Sequence, residues 1–508
     1  MSTFSLGLST YNVPFTMHAE NRRRVCSNLI AFDSSNSQGL VFLESGVDKT
    51  RNDTDHEELF RQESYFHYLS GVKEPNFAIA IDVHSAKTTL FCPRLPASYA
   101  IIMGRIKPPS EFRDHYEVDD VKYVDELESF FSDYVSSSSS PKILLNCGEN
   151  SDSGNIYPAP ELTFKCVSGI TNTTSLFPVL ADSRVFKSPA ELELMKHVSD
   201  LSSQSHVYTM RESKPGMTEW QQEAMFNHYS HFYFGCRKAG YTGICACGPN
   251  AATLHYGHAG APNDQTIQEG DMCLLDMGSE YHCYGADITC SFPMTANRKF
   301  TPNQRIIYSA VLNAQLAVYE MLKPGTDWVE CHKAAEKAIL EKLIEVGVVQ
   351  MADAAKVEEL VEKRLGGVFM PHGLGHFIGI DTHDVGGYLE GHPKRNPGPG
   401  LKSLRTARIM QESMCLTVEP GCYFIDCVID DALADPNLGK HINAEKIAAF
   451  RGTGGVRLED VVAITADGME NYTNCPRTMD EVEHVLSGGK WPPPSDEAPK
   501  LFRKYLVK

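Results

Sequence analysis

The first third of the chain alternates short apolar runs with polar segments. GLVFLESG (39–46), NFAIAIDVH (76–84), TTLFCPRL (88–95) and KILLNCG (142–148) are short, rich in β-branched and aromatic residues, and bounded by Gly, Pro and Asn. They predict strands, and VDELESFFSDYV (124–135) between them predicts a helix. The aromatic-rich RQESYFHYLSG (61–71) predicts a helix packed on that sheet, and the serine run Ser136–Ser140 before Pro141 predicts a flexible loop. Together these elements describe a small α/β unit.

The pattern changes near Lys187. Ser188 can cap a helix, Pro189 suits its first position, and Glu191 completes a capping box. Leu192, Met195, Val198 and Leu201 then recur at helical spacing. The boundary predicts two domains, 1–186 and 187–508, and two domains are also the first expectation from a length of 508 residues.

The second domain repeats itself. Ser188-Pro-Ala-Glu191 and Thr301-Pro-Asn-Gln304 each open a helix, and each helix leads to a similar phrase, KPGMTEW (214–220) or KPGTDW (323–328). Further on, GDMCLLDMG (270–278) has its counterpart in SMCLTVEPG (413–421). Each carries one carboxylate among apolar neighbours, Asp276 or Glu419, and each is followed by a second acidic position, Asp287 in GADITCSF or Glu459 in VRLEDVV. Four phrases in one order predict two related halves around one site.

Composition narrows the function classes. Apolar residues at 42% and charged residues at 22% describe a globular protein with ample core. A net charge of −18 argues against nucleic acid or an anionic membrane as main partner. No stretch approaches the ~18 consecutive apolar residues of a membrane span. The N-terminus lacks the basic-then-apolar order of a secretory signal. Fifteen cysteines without framework spacing read as reduced thiols of a cytoplasmic protein, and Cys245 and Cys247, in the strand-like YTGICACG, as packing residues.

The acids carry the chemistry. Asp is depleted in strands because its short polar side chain is costly to desolvate, yet Asp276 and Asp287 lie eleven residues apart in strand-like runs with GSEYHCYG between them as a turn. That hairpin would set both carboxylates on one face. Four clustered carboxylates repel unless cations neutralise them. A histidine from MPHGLGHFIGIDTHDVGG (370–387), which holds His372, His376 and His383 beside Asp381 and Asp384, would complete a five-donor set; spacing alone does not say which one. Oxygen and imidazole donors without thiolate favour Mn, Fe, Co or Zn, and bridging carboxylates suit two ions about 3.5–4 Å apart. Two ions sharing a water make hydroxide available near neutral pH and polarise a carbonyl, which is machinery for amide or phosphate-ester hydrolysis. No P-loop, Ser-His-Asp signature or dinucleotide fingerprint competes.

LHYGHAGAPNDQTIQEGDMCLLDMGSEYHCYGADITCSFP (254–293), FMPHGLGHFIGIDTHDVGGY (369–388), SLRTARIMQESMCLTVEPGCYFID (403–426) and GGVRLEDVVAIT (454–465) closely resemble the prolidases, Xaa-Pro dipeptidases of the M24 metallopeptidase family, in their eukaryotic form. LFRQESYFHYLSGV (59–72) and TLFCPRLPAS (89–98) extend the resemblance toward the N-terminus. It implies a creatinase-like N-terminal α/β domain, a pseudo-symmetric pita-bread catalytic domain, a homodimer, and two divalent ions per subunit, Mn2+. By motif, the implied metal ligands are Asp276, Asp287, His376, Glu419 and Glu459, with Asp460 the alternative to Glu459. Glu419, His255 and His383 are implied as catalytic residues. Arg405, His255, His372, His383, Tyr241 and Arg457 are implied around the substrate, Arg405 on its C-terminal carboxylate, and Asp381 and Asp384 as orienting or loop-capping groups.

The expected reaction is attack of a metal-bridging hydroxide on an Xaa-Pro amide, with Glu419 passing the water proton to the proline nitrogen. That nitrogen has no N–H, so a pocket fitted to the ring must position it. Two rivals are an aminopeptidase P with longer substrates, separated by the SLRTAR phrase, and a pita-bread binding protein without metal, disfavoured by five competent donor positions.

Overall fold

The computed structural model describes residues 2–8, 10–257 and 263–503. The chain divides into two compact units, Met1–Glu191 and Leu192–Lys508.

In the first unit, β1 (Gly39–Glu44), β2 (Ala78–Asp82), β3 (Thr88–Cys92), β4 (Asp120–Tyr123), β5 (Lys142–Leu145) and β6 (Thr171–Asn172) form one mixed sheet in the order β6-β5-β1-β2-β3-β4. α1 (Thr16–Phe32), α2 (Ser64–Ser70) and α3 (Leu127–Ser137) accompany it. Alternate residues Leu40 and Phe42, Ala78 and Ala80, and Ile143 and Leu145 share one core with Leu127 and Phe131 of α3, the period-two pattern meeting a helical one. All seven residues of α2 are buried, as the aromatic run predicts. The serine run departs from expectation: α3 continues through Ser137, and Ser132 and Ser136 donate back to the carbonyls of Glu128 and Ser132, each at 2.8 Å.

The second unit is built twice over. α4 (Pro189–Glu212) and α5 (Glu219–Phe234) precede an antiparallel sheet of β7 (Ile244–Cys247), β8 (Asp271–Asp276) and β9 (Thr289–Met294). α6 (Pro302–Met321) and α7 (Trp328–Glu345), packed on each other, precede a second sheet. That sheet orders β10 (Cys415–Val418), β13 (Asp460–Ile464) and β14 (Met469–Asn471), with β11 (Gly421–Tyr423) and β12 (Gly455–Arg457) paired beside it. The capping boxes form as read: the Ser188 N–H donates to Glu191 Oε2 at 2.7 Å and the Thr301 N–H to Gln304 Oε1 at 2.9 Å. A bridge between Thr289 and Glu459 joins the two sheets. Cys245 and Cys247 are buried in β7, and Cys247 lies opposite Cys273.

Candidate active site

The four acids sit at equivalent strand ends. Asp276 closes β8 and Glu419 follows the last residue of β10; Asp287 lies two residues before β9 and Glu459 immediately before β13. Strand ends free these side chains from the apolar sheet interior while register fixes their positions: Asp276 lies opposite Thr289, and Val418 opposite Asp460. GSEYHCYG makes more than the turn expected, a two-residue hairpin of its own at 280–281 and 284–285.

His376 is brought in by a close approach of backbones. Its N–H donates to Thr417 Oγ1 at 3.1 Å, and its carbonyl accepts the Thr417 N–H at 2.9 Å. A Cβ at Gly375 would lie 2.1 Å from the Thr417 carbonyl oxygen, so only glycine fits. His376 Nδ1–H donates to the Phe377 carbonyl at 3.0 Å. Nε2 therefore faces Asp287 Oδ2 at 3.3 Å, Glu419 Oε1 at 3.6 Å and Glu459 Oε1 at 4.0 Å, where it donates to carboxylate when protonated and would offer its lone pair to a cation.

Three overlapping groups of donors result: Asp276–Asp287–Glu459, His376–Glu419–Glu459, and Asp287–His376–His383, with ligand atoms in each within 4.8 Å of one another. Asp287 Oδ1 is buried without a hydrogen-bond partner among the described residues. A buried carboxylate oxygen left open among like charges fits a cation.

The electrostatics say the same. Burial, and then Asp287 and Glu419, hold the Glu459 carboxyl well above its usual range. Burial pushes Glu419 up to about 7, although His376 and Arg457 oppose it, and Asp276 up to about 6 against Arg457. Burial would raise Asp287 too, but hydrogen bonds from His376 and Tyr241 hold it below its usual range. His376 is raised because its acidic neighbours outweigh its burial.

Around the acids lies a hydrogen-bonded frame. Tyr241 donates to Asp276 Oδ1 and Arg457 Nη2 to Asp276 Oδ2, both at 2.5 Å. Arg457 Nε donates to Thr289 Oγ1 at 3.0 Å, and Thr289 donates onward to Glu459 Oε2 at 2.7 Å. Arg457 Nη1 donates to the Tyr423 oxygen at 2.9 Å, and Tyr423 O–H meets His372 Nε2 at 3.1 Å. His372 Nδ1–H donates to the Gly373 carbonyl at 2.7 Å. Both nitrogens of His372 are thus engaged within the protein, which leaves its ring face and edge for any substrate; burial and Arg457 push it down to about 3. Thr289 and Tyr423 escaped sequence reasoning, since nothing local marks a strand Thr or Tyr as a link between distant charged groups.

His383 packs edge-on against His376, with ring centroids 4.5 Å apart, and opens to solvent on its other side. Burial pushes it down to about 2, and the His376 and Arg405 charges act in the same direction. His255, exposed in a turn, is near enough to depress both His372 and His383. Asp384 Oδ1 accepts the Val385 N–H at 3.0 Å, a loop-capping contact. Asp460, the alternative to Glu459, faces elsewhere: Arg477 Nε donates to its Oδ1 at 2.8 Å, Tyr319 and Asn471 to its Oδ2 at 2.5 and 2.8 Å.

Residues 193–466 match the model of metallopeptidase family M24, and residues 18–144 that of the aminopeptidase P N-terminal domain. The chain is 47% identical to the Xaa-Pro dipeptidase of Homo sapiens over 488 residues, 96% of each protein. It is 34% identical to a probable Xaa-Pro aminopeptidase of Emericella nidulans, covering 93% of this chain and 97% of that one. The aminopeptidase PepP of Pseudomonas aeruginosa superposes with a TM-score of 0.74 at 26% identity, over 94% of this chain and 98% of that one. An aminopeptidase P-like N-terminal domain therefore precedes a duplicated pita-bread domain, and the chain belongs to metallopeptidase family M24.

Proposed function

We propose that the chain is an Xaa-Pro dipeptidase that uses two divalent ions to release C-terminal proline. The observation that carries this reading is the pair of donor groups Asp276–Asp287–Glu459 and His376–Glu419–Glu459, which together contain all five expected ligands and have Glu459 in common. When bound, the ions supply an acidified water and positive charge for the developing oxyanion.

The chain's own groups supply the rest. Arg405 anchors the substrate's C-terminal carboxylate, with His383 beside it to contact the proline residue. Glu419 is the least enclosed of the four acids, with 17% of its side chain exposed, and its raised pKa suits it to take a proton and deliver it to the proline nitrogen. Tyr241 and Arg457 hold Asp276 in place, and Arg457 with Tyr423 holds His372 neutral along the wall of the pocket. His255 and His383 are the histidines that reach the scissile region. A longer peptide presents no terminal carboxylate to Arg405 at that point and forgoes the charged hydrogen bond.

Mn2+ is the proposed ion, on a donor set of oxygens and imidazole without thiolate. All fifteen cysteines are free, which supports a reducing compartment, the cytoplasm. A homodimer is proposed from the family resemblance. The test is hydrolysis of Gly-Pro against Gly-Pro-Gly by metal-stripped and Mn-restored protein. Mn-dependent cleavage confined to Gly-Pro supports the proposal. Equal rates on both point to an aminopeptidase P, and absence of metal binding and hydrolysis to a binding protein.

A further inference from the structure

Glu219 opens α5 and is fully buried, yet the helix does not need its carboxylate. The helix start is served by Thr218 and Gln221, whose Oε1 accepts the Thr218 N–H at 2.9 Å. The matching acid of the other half, Asp327, does cap its own helix, accepting the Val329 N–H at 2.8 Å. With one methylene more, Glu219 reaches outward instead. Its Oε1 accepts the Cys247 N–H at 2.8 Å and Asn250 Nδ2 at 3.1 Å. Its Oε2 accepts the Tyr256 O–H at 2.7 Å and the Gln265 N–H at 3.1 Å. One carboxylate thus grips both ends of the loop between β7 and β8, and Tyr256 within it.

That loop carries His255. The residues on either side of the histidine, Leu254 and Tyr256, pack against the cluster of Ile244, Ala246 and Tyr423. The next residue, Gly257, is pressed to the sheet: a Cβ there would lie 2.2 Å from the Gly243 carbonyl oxygen. The segment around the histidine is held by apolar packing on one side and by Glu219 on the other, while Asn263 further along accepts the Cys245 N–H at 2.8 Å and donates to Glu223 Oε2 at 2.7 Å and to the Gly243 carbonyl at 2.9 Å.

We infer that Glu219 is a positioning residue for His255, holding Cys247, Asn250, Tyr256 and Gln265 so that the imidazole stands at the scissile bond. This rests on the proposed role of His255. The four donors fill the acceptor positions of a carboxylate. In Glu219→Gln the amide NH2 must face one of the two pairs. Asn250 and Tyr256 can turn to accept, but the Cys247 and Gln265 N–H groups cannot, so one backbone donor meets another donor and the loop shifts.

A double-mutant cycle on the full-length, Mn-loaded protein tests it, with kcat/KM read on whichever of Gly-Pro and Gly-Pro-Gly the wild type cleaves. A failure of the dipeptidase assignment then does not mask the result. Glu219→Gln is expected to lower kcat/KM about tenfold with bound metal per chain unchanged. In a His255→Ala background the same change is expected to cost less than about twofold, because residues acting as a unit are not additive. Equal factors in both backgrounds would overturn the inference, since a merely structural role costs the same with or without the histidine. Wild-type kcat/KM in His255→Ala would overturn it as well. Should Glu219→Gln fold poorly, Tyr256→Phe removes one donor and leaves the backbone pair. It is expected to cost about threefold with His255 present and nothing without it, and a loss undiminished in His255→Ala counts against the inference.

Discussion

Which ring nitrogen carries a proton decides what each histidine of the site can do. A backbone carbonyl holds the Nδ1 proton of His376, so Nε2 is offered to three carboxylates. His372 has the same arrangement at Nδ1, but Tyr423 occupies its Nε2. One histidine is prepared as a ligand and the other as a wall. Replacing Tyr423 by Phe leaves His372 Nε2 without a donor and Arg457 Nη1 without an acceptor. Urea unfolding should show a loss of about 1–3 kcal/mol, and an unchanged midpoint would mean that water replaces the hydroxyl. Arg405 acts by charge. A charged hydrogen bond is worth about 1.5–3 kcal/mol, so Arg405→Ala should raise KM for Gly-Pro about 10- to 100-fold while kcat changes far less. It should also erase the preference for Gly-Pro over Gly-Pro-Gly. If the preference survived, chain length would be read elsewhere.

At the scale of elements, adjacent acids at one strand end do opposite jobs. Side chains alternate across a strand, so Glu459 faces the candidate metal site and Asp460, next in the chain, is committed to Arg477. Glu459→Gln should reduce bound metal yet leave the metal-free protein as stable or more so, because it removes one of several repelling charges. Asp460→Asn should keep the five donors but cost about 3–5 kcal/mol of stability by stranding a buried guanidinium. Metal titration and thermal unfolding of the two variants separate them. The repeated phrases, the capping boxes and the apolar strands with embedded acids were legible in the sequence because each is a local pattern of spacing. The clustering of the acids was legible because a carboxylate among apolar residues needs a reason. Less was legible where a residue's role depends on what lies across the sheet. Thr289 relays between Arg457 and Glu459, some 170 positions away, and Glu219 and Asp327 read alike in their phrases yet hold different partners. The one expected loop that became helix, at Ser136 and Ser137, did so because serine hydroxyls found the preceding turn's carbonyls.

For the whole molecule, the duplicated domain brings repelling carboxylates from both halves together, so cation binding and folding are coupled. Ions present at 100 times their dissociation constant would stabilise the fold by about 2.7 kcal/mol, and pH should modulate that gain. Without metal, burial pushes Glu419 up to about 7 and Asp276 up to about 6, and His376 is raised as well. Groups with raised pKa stabilise the fold in their protonated forms, so the metal-free protein gains from them as pH falls through 7 and 6 and loses that gain as pH rises. Bound cations require the deprotonated forms and must displace those protons. His372 and His383, pushed down to about 3 and 2, stay neutral across this window and drop out of the comparison. The rise in Tm on loading stripped protein with Mn2+, at one free concentration, should therefore be larger at pH 8 than at pH 6. An equal or larger rise at pH 6 would mean that the carboxylates are already ionised in the metal-free protein, and that Arg457 and Tyr241 alone offset their repulsion.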